Sequence, residues 1–228
     1  MNTDEILFMA YYASQEVEIS PDRLQNLINQ FRQQGYTLTD GYASPFNAPD
    51  NIISESDQIE AKILAMCSQD NSVEDLNFWR YPFEFSLSFL LDPENDTRWM
   101  ISVQNDTLMG VDNELGERNA SEFVEVVRTA LAHYPPFYGC AITVEAPPFS
   151  EDVFDIEVTK LYPINFYGSE YVQRLGKDQL LSAPAWRVEE VANSVLLVPS
   201  LEAIYTDDPV SMEAVEQHLG WAEAELVE

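Results

Sequence analysis

The chain reads as a single α+β domain spanning 1–228, an antiparallel or mixed β-sheet with about three main helices packed on one face. Three observations predict this. An apolar, aromatic opening at 5–13, EILFMAYYA, runs directly into a capped amphipathic helix. The segment YPFEFSLSFLL at 81–91 alternates with period two and is answered by RWMISVQ at 98–104. A second helical stripe ends at a double proline and is followed by another strand-like run. With 46% hydrophobic and 12% aromatic residues among 228, the chain has enough apolar material for a substantial core.

The elements follow in order. Residues 5–13 suggest a first strand. Ser20 supplies an N-cap oxygen and Pro21 suits the first helical position. Leu24, Leu27, Ile28 and Phe31 then recur at helical spacing, and Gly35 ends the helix. Residues 41–56 are rich in turn formers and read as a loop. Glu60 to Met66 fits either a short helix or a strand. The polar stretch 69–77 reads as loop, and the hairpin 81–91/98–104 turns at Asp92-Pro93-Glu94-Asn95-Asp96. A short third strand is expected around Leu108 to Val111.

Asn119, with Glu122 three residues on, resembles a capping box. Phe123, Val126, Val127, Ala130 and Leu131 then form an apolar stripe that Pro135-Pro136 stops. YGCAITVE at 138–145 is strand-like, and the Pro147-Pro148 loop with its acidic continuation is expected to be exposed. A helix over Gly168 to Leu175 stops at Gly176. AWRVEEV and SVLLVPS pair through Ala192-Asn193, and Pro209 to Leu219 forms a terminal helix. Tyr81, Phe83, Phe85 and Phe89 share strand parity and are expected on the core face of the sheet.

Charge narrows the function classes. Forty acids face eleven bases, a net charge of −29, and only Lys62, Lys160 and Lys177 are lysine. Eleven scattered cations cannot build a basic stripe, which excludes direct nucleic-acid binding through phosphates and disfavours an anionic membrane surface. No apolar run approaches a membrane span, and the first residues lack the basic region of a signal peptide. Two cysteines, Cys67 and Cys140, without metal-ligand spacing, suggest reduced thiols in a cytoplasmic protein. Acids spread along the whole chain, with lysine scarce, fit a halophilic cytosol, where molar salt screens their mutual repulsion. The same acids fit a surface that attracts a basic partner or imitates a phosphate backbone.

The sequence offers no catalytic, cofactor-binding or metal-ligating set. His133 and His218 read as residues near helix C-termini, where the dipole favours a positive ring. Phosphate-cradling glycine motifs, a serine nucleophile elbow and a calcium loop are missing from the sequence. Tyr162, Phe166, Tyr167 and Tyr171 cluster near an expected loop, where tyrosine suits partner contact. With the acidic pair Asp207-Asp208 they are the candidate partner-binding residues.

Asn165, Gly168, Leu175 and Gly176, in the run INFYGSEYVQRLG and its continuation LLSAPAWRVEEVANSVLLVPS, carry a resemblance. The segment resembles the C-terminal part of a haloarchaeal protein family. More distantly, over about 160–220, it is similar to type VI secretion immunity proteins of the Imm52/DUF3396 kind. The resemblance implies an α+β fold and a non-enzymatic protein that binds and neutralises a partner protein, such as a basic toxin. Two alternatives stay open: a nucleic-acid mimic that inhibits a DNA-binding protein, and an enzyme built from carboxylates. The oligomeric state is not legible.

Overall fold

The structure, a computed structural model, describes residues 5–12, 20–41, 47–67, 75–90, 98–109, 112–142, 148, 150–206 and 210–221. Among the described residues nine strands form one sheet. They are β1 (Glu5–Tyr11), β2 (Thr37–Thr39), β3 (Asp75–Arg80), β4 (Phe83–Leu90), β5 (Arg98–Gln104), β6 (Tyr138–Ile142), β7 (Asn165–Tyr167), β8 (Arg187–Val191) and β9 (Ser194–Val198). Their spatial order is β2-β3-β4-β5-β1-β6-β7-β9-β8. Every pairing is antiparallel, which resolves the expected sheet type.

The helices are α1 (Pro21–Gln33), α2 (Ser56–Cys67), α3 (Asn105–Leu108), α4 (Asn113–His133), α5 (Ser150–Phe154), α6 (Ser169–Leu175), α7 (Lys177–Leu181), α8 (Glu202–Tyr205) and α9 (Glu213–Leu219). The α+β class holds, but the helices outnumber the three expected and the apolar packing occupies both sheet faces. On one face, Ile6, Phe8 and Ala10 of β1 join the buried residues of α1 and α4 in a single cluster. On the other, Met9 and Tyr11 join Tyr138, Cys140, Val153, Tyr171 and Val215 in a second cluster. Period two along β1 sends alternate residues to the two clusters.

The first cluster is held by close aromatic packing. Phe31 of α1 lies 5.0 Å from both Phe78 and Phe85, and those two rings stack at 4.9 Å. Each fully buried Phe contributes ~1.5–3 kcal/mol of burial. Ser20 caps α1 as expected, its Oγ accepting from Arg23 N at 3.3 Å, and Gly35 takes the positive φ that ends the turn. Arg80 donates to Gln34 O at 2.6 Å, pairs with Glu122 and lies over the Tyr36 ring, joining α1, α4 and β3.

Several expectations are corrected. Asp75–Arg80 is a strand rather than part of a loop, and it turns at Tyr81-Pro82 into β4. Tyr81 sits in that turn, 62% exposed, while Phe83, Phe85 and Phe89 are core as expected. Leu108 ends a helical turn instead of starting a strand; the rest of that expectation, 110–111, lies outside the described residues. The cap of α4 is Asp112, whose carboxylate accepts from Leu115 N at 3.0 Å. Asn119 is two turns inside the helix, donating to Thr107 O at 2.6 Å. Residues 165–167, expected as loop, form β7. The helix after Gly168, the β8–β9 hairpin through Ala192-Asn193 and a terminal helix are present. The turn at 92–96 lies outside the described residues.

Candidate functional site

The aromatic residues singled out for partner contact are core residues. Tyr162, Phe166, Tyr167 and Tyr171 are all buried, which corrects the expectation that they face a partner. The reason is β7. Its alternation sends Tyr167 into the second cluster, beside Tyr162 and Tyr171, and Phe166 into the first, on the opposite face. Asn165 shapes the approach to β7. Its amide donates to Tyr162 O at 2.6 Å and accepts from Tyr162 N at 3.0 Å. Gly168 must be glycine, because a Cβ there would lie 2.3 Å from Phe137 O. Asp207 and Asp208 lie outside the described residues.

Around Tyr138 the rings of Tyr171, Tyr167 and Tyr11 stand at 5.1, 6.0 and 6.1 Å. Tyr171 donates to Val153 O at 2.6 Å. The hydroxyls of Tyr138 and Tyr167 are buried and make no hydrogen bond among the described residues. Burial holds both phenols well above their usual pKa. Cys140, also buried, has its thiol pushed up by desolvation, so it is protonated and a poor nucleophile near neutral pH.

Further along the same sheet face the character changes. Opposite the Phe83, Phe85, Leu87 stripe, β3 and β4 place Asp75, Asn77, Glu84, Ser86 and Ser88, and β5 adds Ser102. Asn77 pairs in register with Ser86, and Ser86 with Ser102. Glu84 is only 2% exposed, and Asn77, Ser86, Ser88 and Ser102 are buried. Ser88 donates to Asp75, while Asn77 Oδ1 and Ser86 Oγ make no hydrogen bond among the described residues. Neighbouring oxygens of this kind can hold a water molecule or another hydrogen-bonding group. Sequence reasoning missed this row because Glu84, Ser86 and Ser88 look like the solvent side of an alternating strand. Reading 69–77 as loop also removed Asn77 from the sheet.

At least five cations are drawn into internal pairs. Lys62 lies 3.1 Å from Asp40, Arg80 pairs with Glu122, and Lys177 lies 2.7 Å from Glu190. Arg128 lies 3.2 Å and Arg187 2.9 Å from Glu189, and Arg187 also meets Glu125. Three of these cations, Arg128, Lys177 and Arg187, thus gather where α4 and α7 flank β8, matched by Glu125, Glu189 and Glu190. Trp186, just before β8, is 46% exposed, and Leu181 at the end of α7 is 38% exposed.

Both histidines stand near helix ends, as expected. His133 Nδ1 is 3.1 Å from Thr129 O, and His218 Nε2 is 2.9 Å from Gln179 O, tying α9 to α7. Among the described residues no group of three or more His, Cys, Asp or Glu could hold a metal, and no helix is long and apolar enough to cross a membrane.

No protein-family model matches this chain, and no curated protein matches it. Among solved structures, the chain is similar to the Pseudomonas aeruginosa T6SS protein PA0821, at 9% sequence identity and a TM-score of 0.46, over 96% of this chain and 82% of that one.

Proposed function

We propose that this chain is a non-enzymatic, acidic protein-binding module, immunity-like, that docks on a basic partner protein and neutralises it in a halophilic cytosol. The observation that carries the reading is the disposition of charge. The net charge is −29, and among the described residues at least five cations, Lys62, Arg80, Arg128, Lys177 and Arg187, are paired with carboxylates of the same chain. The surplus carboxylates draw a cationic partner into encounter and set orientation more than they set final affinity. Acids that hydrate the surface at molar salt serve the same molecule in the cytosol proposed for it.

The test is co-expression with the basic product of a neighbouring gene, followed by stopped-flow association kinetics across a KCl series. The expected result is a stable complex whose association slows as salt screens the long-range attraction. Absence of any complex at both low and molar salt would overturn the reading, as would turnover of a substrate by the purified chain.

A second reading, a carboxylate-based enzyme, is favoured by the burial of Glu84 beside Asn77 and Ser86. It requires that any turnover found for the wild type be abolished in Glu84→Gln.

A further inference from the structure

We propose that the chain forms a two-fold symmetric homodimer by antiparallel pairing of β8 with β8 of a second copy, joining two nine-stranded sheets edge to edge. The sheet has two ends, and they differ. At the β2 end, the segment after the strand continues the bonding: Asp40 N donates to Asn51 O at 2.9 Å and Ile53 N to Leu38 O at 2.8 Å. At the other end β8 is the terminal strand, and among the described residues no strand pairs with its outer edge. An open edge of this length is a template for another strand.

Charge selects a second copy as the occupant. Two chains of net charge −29 repel wherever acids face acids. Around β8 the ion-paired groups balance, Arg128, Lys177 and Arg187 against Glu125, Glu189 and Glu190. The strand is also complementary to itself. Arg187 and Glu189 lie two residues apart and so on one face, the face that meets α4 through Glu125 and Arg128. A two-fold axis through Val188 places Arg187 of each copy directly opposite Glu189 of the other. Such cross-strand pairs approach to ~5 Å between Cβ atoms and favour opposite charge. The same register sets Val188 against Val188 and exposed Trp186 against Glu190. A C2 interface requires self-complementarity of this kind, and exposed tryptophan suits an interface.

Light scattering on the purified full chain over micromolar to hundreds of micromolar protein, in KCl from 0.2 to 2 M, tests this. The charge variants are compared at the lowest salt at which each stays folded, where opposed charges are least screened. The expected mass is twice the 26.0 kDa of one chain. Val188→Lys, which sets two lysines together on the axis, is expected to give the single-chain mass with an unchanged circular dichroism spectrum. Arg187→Glu alone and Glu189→Arg alone are each expected to be monomeric, since each sets like charges in opposition twice. Mixed in equal amounts, they restore both opposite-charge pairs and are expected to regain the doubled mass. A wild type that stays at 26.0 kDa throughout would overturn the proposal. So would a dimer that survives Val188→Lys, or a mixture of the two charge variants that stays monomeric while both remain folded.

Discussion

Tyr138 and Tyr167 each bury a hydroxyl that finds no hydrogen-bond partner among the described residues. Burying a hydroxyl unpaired costs ~1–3 kcal/mol, so removing it removes a penalty rather than a bond. Tyr138→Phe and Tyr167→Phe are therefore expected to match or exceed the wild type in urea midpoint, whereas Tyr171→Phe loses the bond to Val153 O and is expected to cost about 1 kcal/mol. Alkali acts on the same residues. Their folded pKa lies well above the ordinary 10.0. Stability is full below about pH 10, where both states keep the proton, and falls above it, where only the unfolded chain releases it. The slope is about 1.4 kcal/mol per pH unit for each such tyrosine. Circular dichroism and phenolate absorbance followed from pH 9 to 12 on the wild type and on Tyr138→Phe and Tyr167→Phe should show that the absorbance lost in each variant appears in the wild type only with unfolding; that difference signal in a wild type that stays folded would contradict the burial argument. At this scale the sequence named Tyr162, Phe166, Tyr167 and Tyr171 as a cluster but placed it wrongly. Nothing local separates an interface tyrosine from a core tyrosine; the difference lies in β7, three residues long, too short for periodicity to reveal.

Capping shows how elements become legible. Ser20-Pro21 was readable because cap oxygen, N1 proline and apolar stripe all coincide. For α4 two signals compete. Asn119 and Glu122 mimic a capping box, but the helix continues back to Asn113, and Asn119 spends its amide on Thr107 O. The true cap, Asp112, satisfies the Leu115 N–H. Asp112→Ala is expected to cost about 1 kcal/mol. Asn119→Ala is expected to cost more, ~1–3 kcal/mol, since it strips a buried carbonyl of its partner. Urea denaturation in which Asp112→Ala cost nothing would count against Asp112 as the cap, and one in which Asn119→Ala cost less than Asp112→Ala would count against the buried bond to Thr107 O. The β8–β9 hairpin was legible because Ala192 and Asn193 occupy the left-handed region that a two-residue turn requires. The β3–β4 turn was not, since Tyr81-Pro82 sits inside what reads as one continuous aromatic strand.

For the whole molecule, both composition and apolar runs carried information. EILFMAY and YGCAI lack polar alternates, the mark of strands covered on both faces, and the structure puts β1 and β6 between the two clusters. Charge repulsion belongs to this scale too. The Debye length falls from ~10 Å at 0.1 M salt to ~3 Å at 1 M, so the mutual repulsion of the surplus acids is relieved over that range. The urea midpoint is expected to climb between 0.1 and 1 M KCl. A flat or falling midpoint would mean that local ion pairing already neutralises the surface, and the halophilic reading would lose its basis.

The position of β1 has a consequence for how the protein is made. This strand emerges from the ribosome before either of the strands beside it, yet its pairings run from Glu5 to Gln104 and from Leu7 to Ile142. Until those partners are synthesised, an apolar seven-residue strand has no edge to join. Long-range closures of this sort slow folding and leave β-prone segments open to the wrong neighbour. The nascent chain thus carries its centre strand unpaired until Arg98–Gln104 has been made, and a holding chaperone would find a target in Glu5–Tyr11.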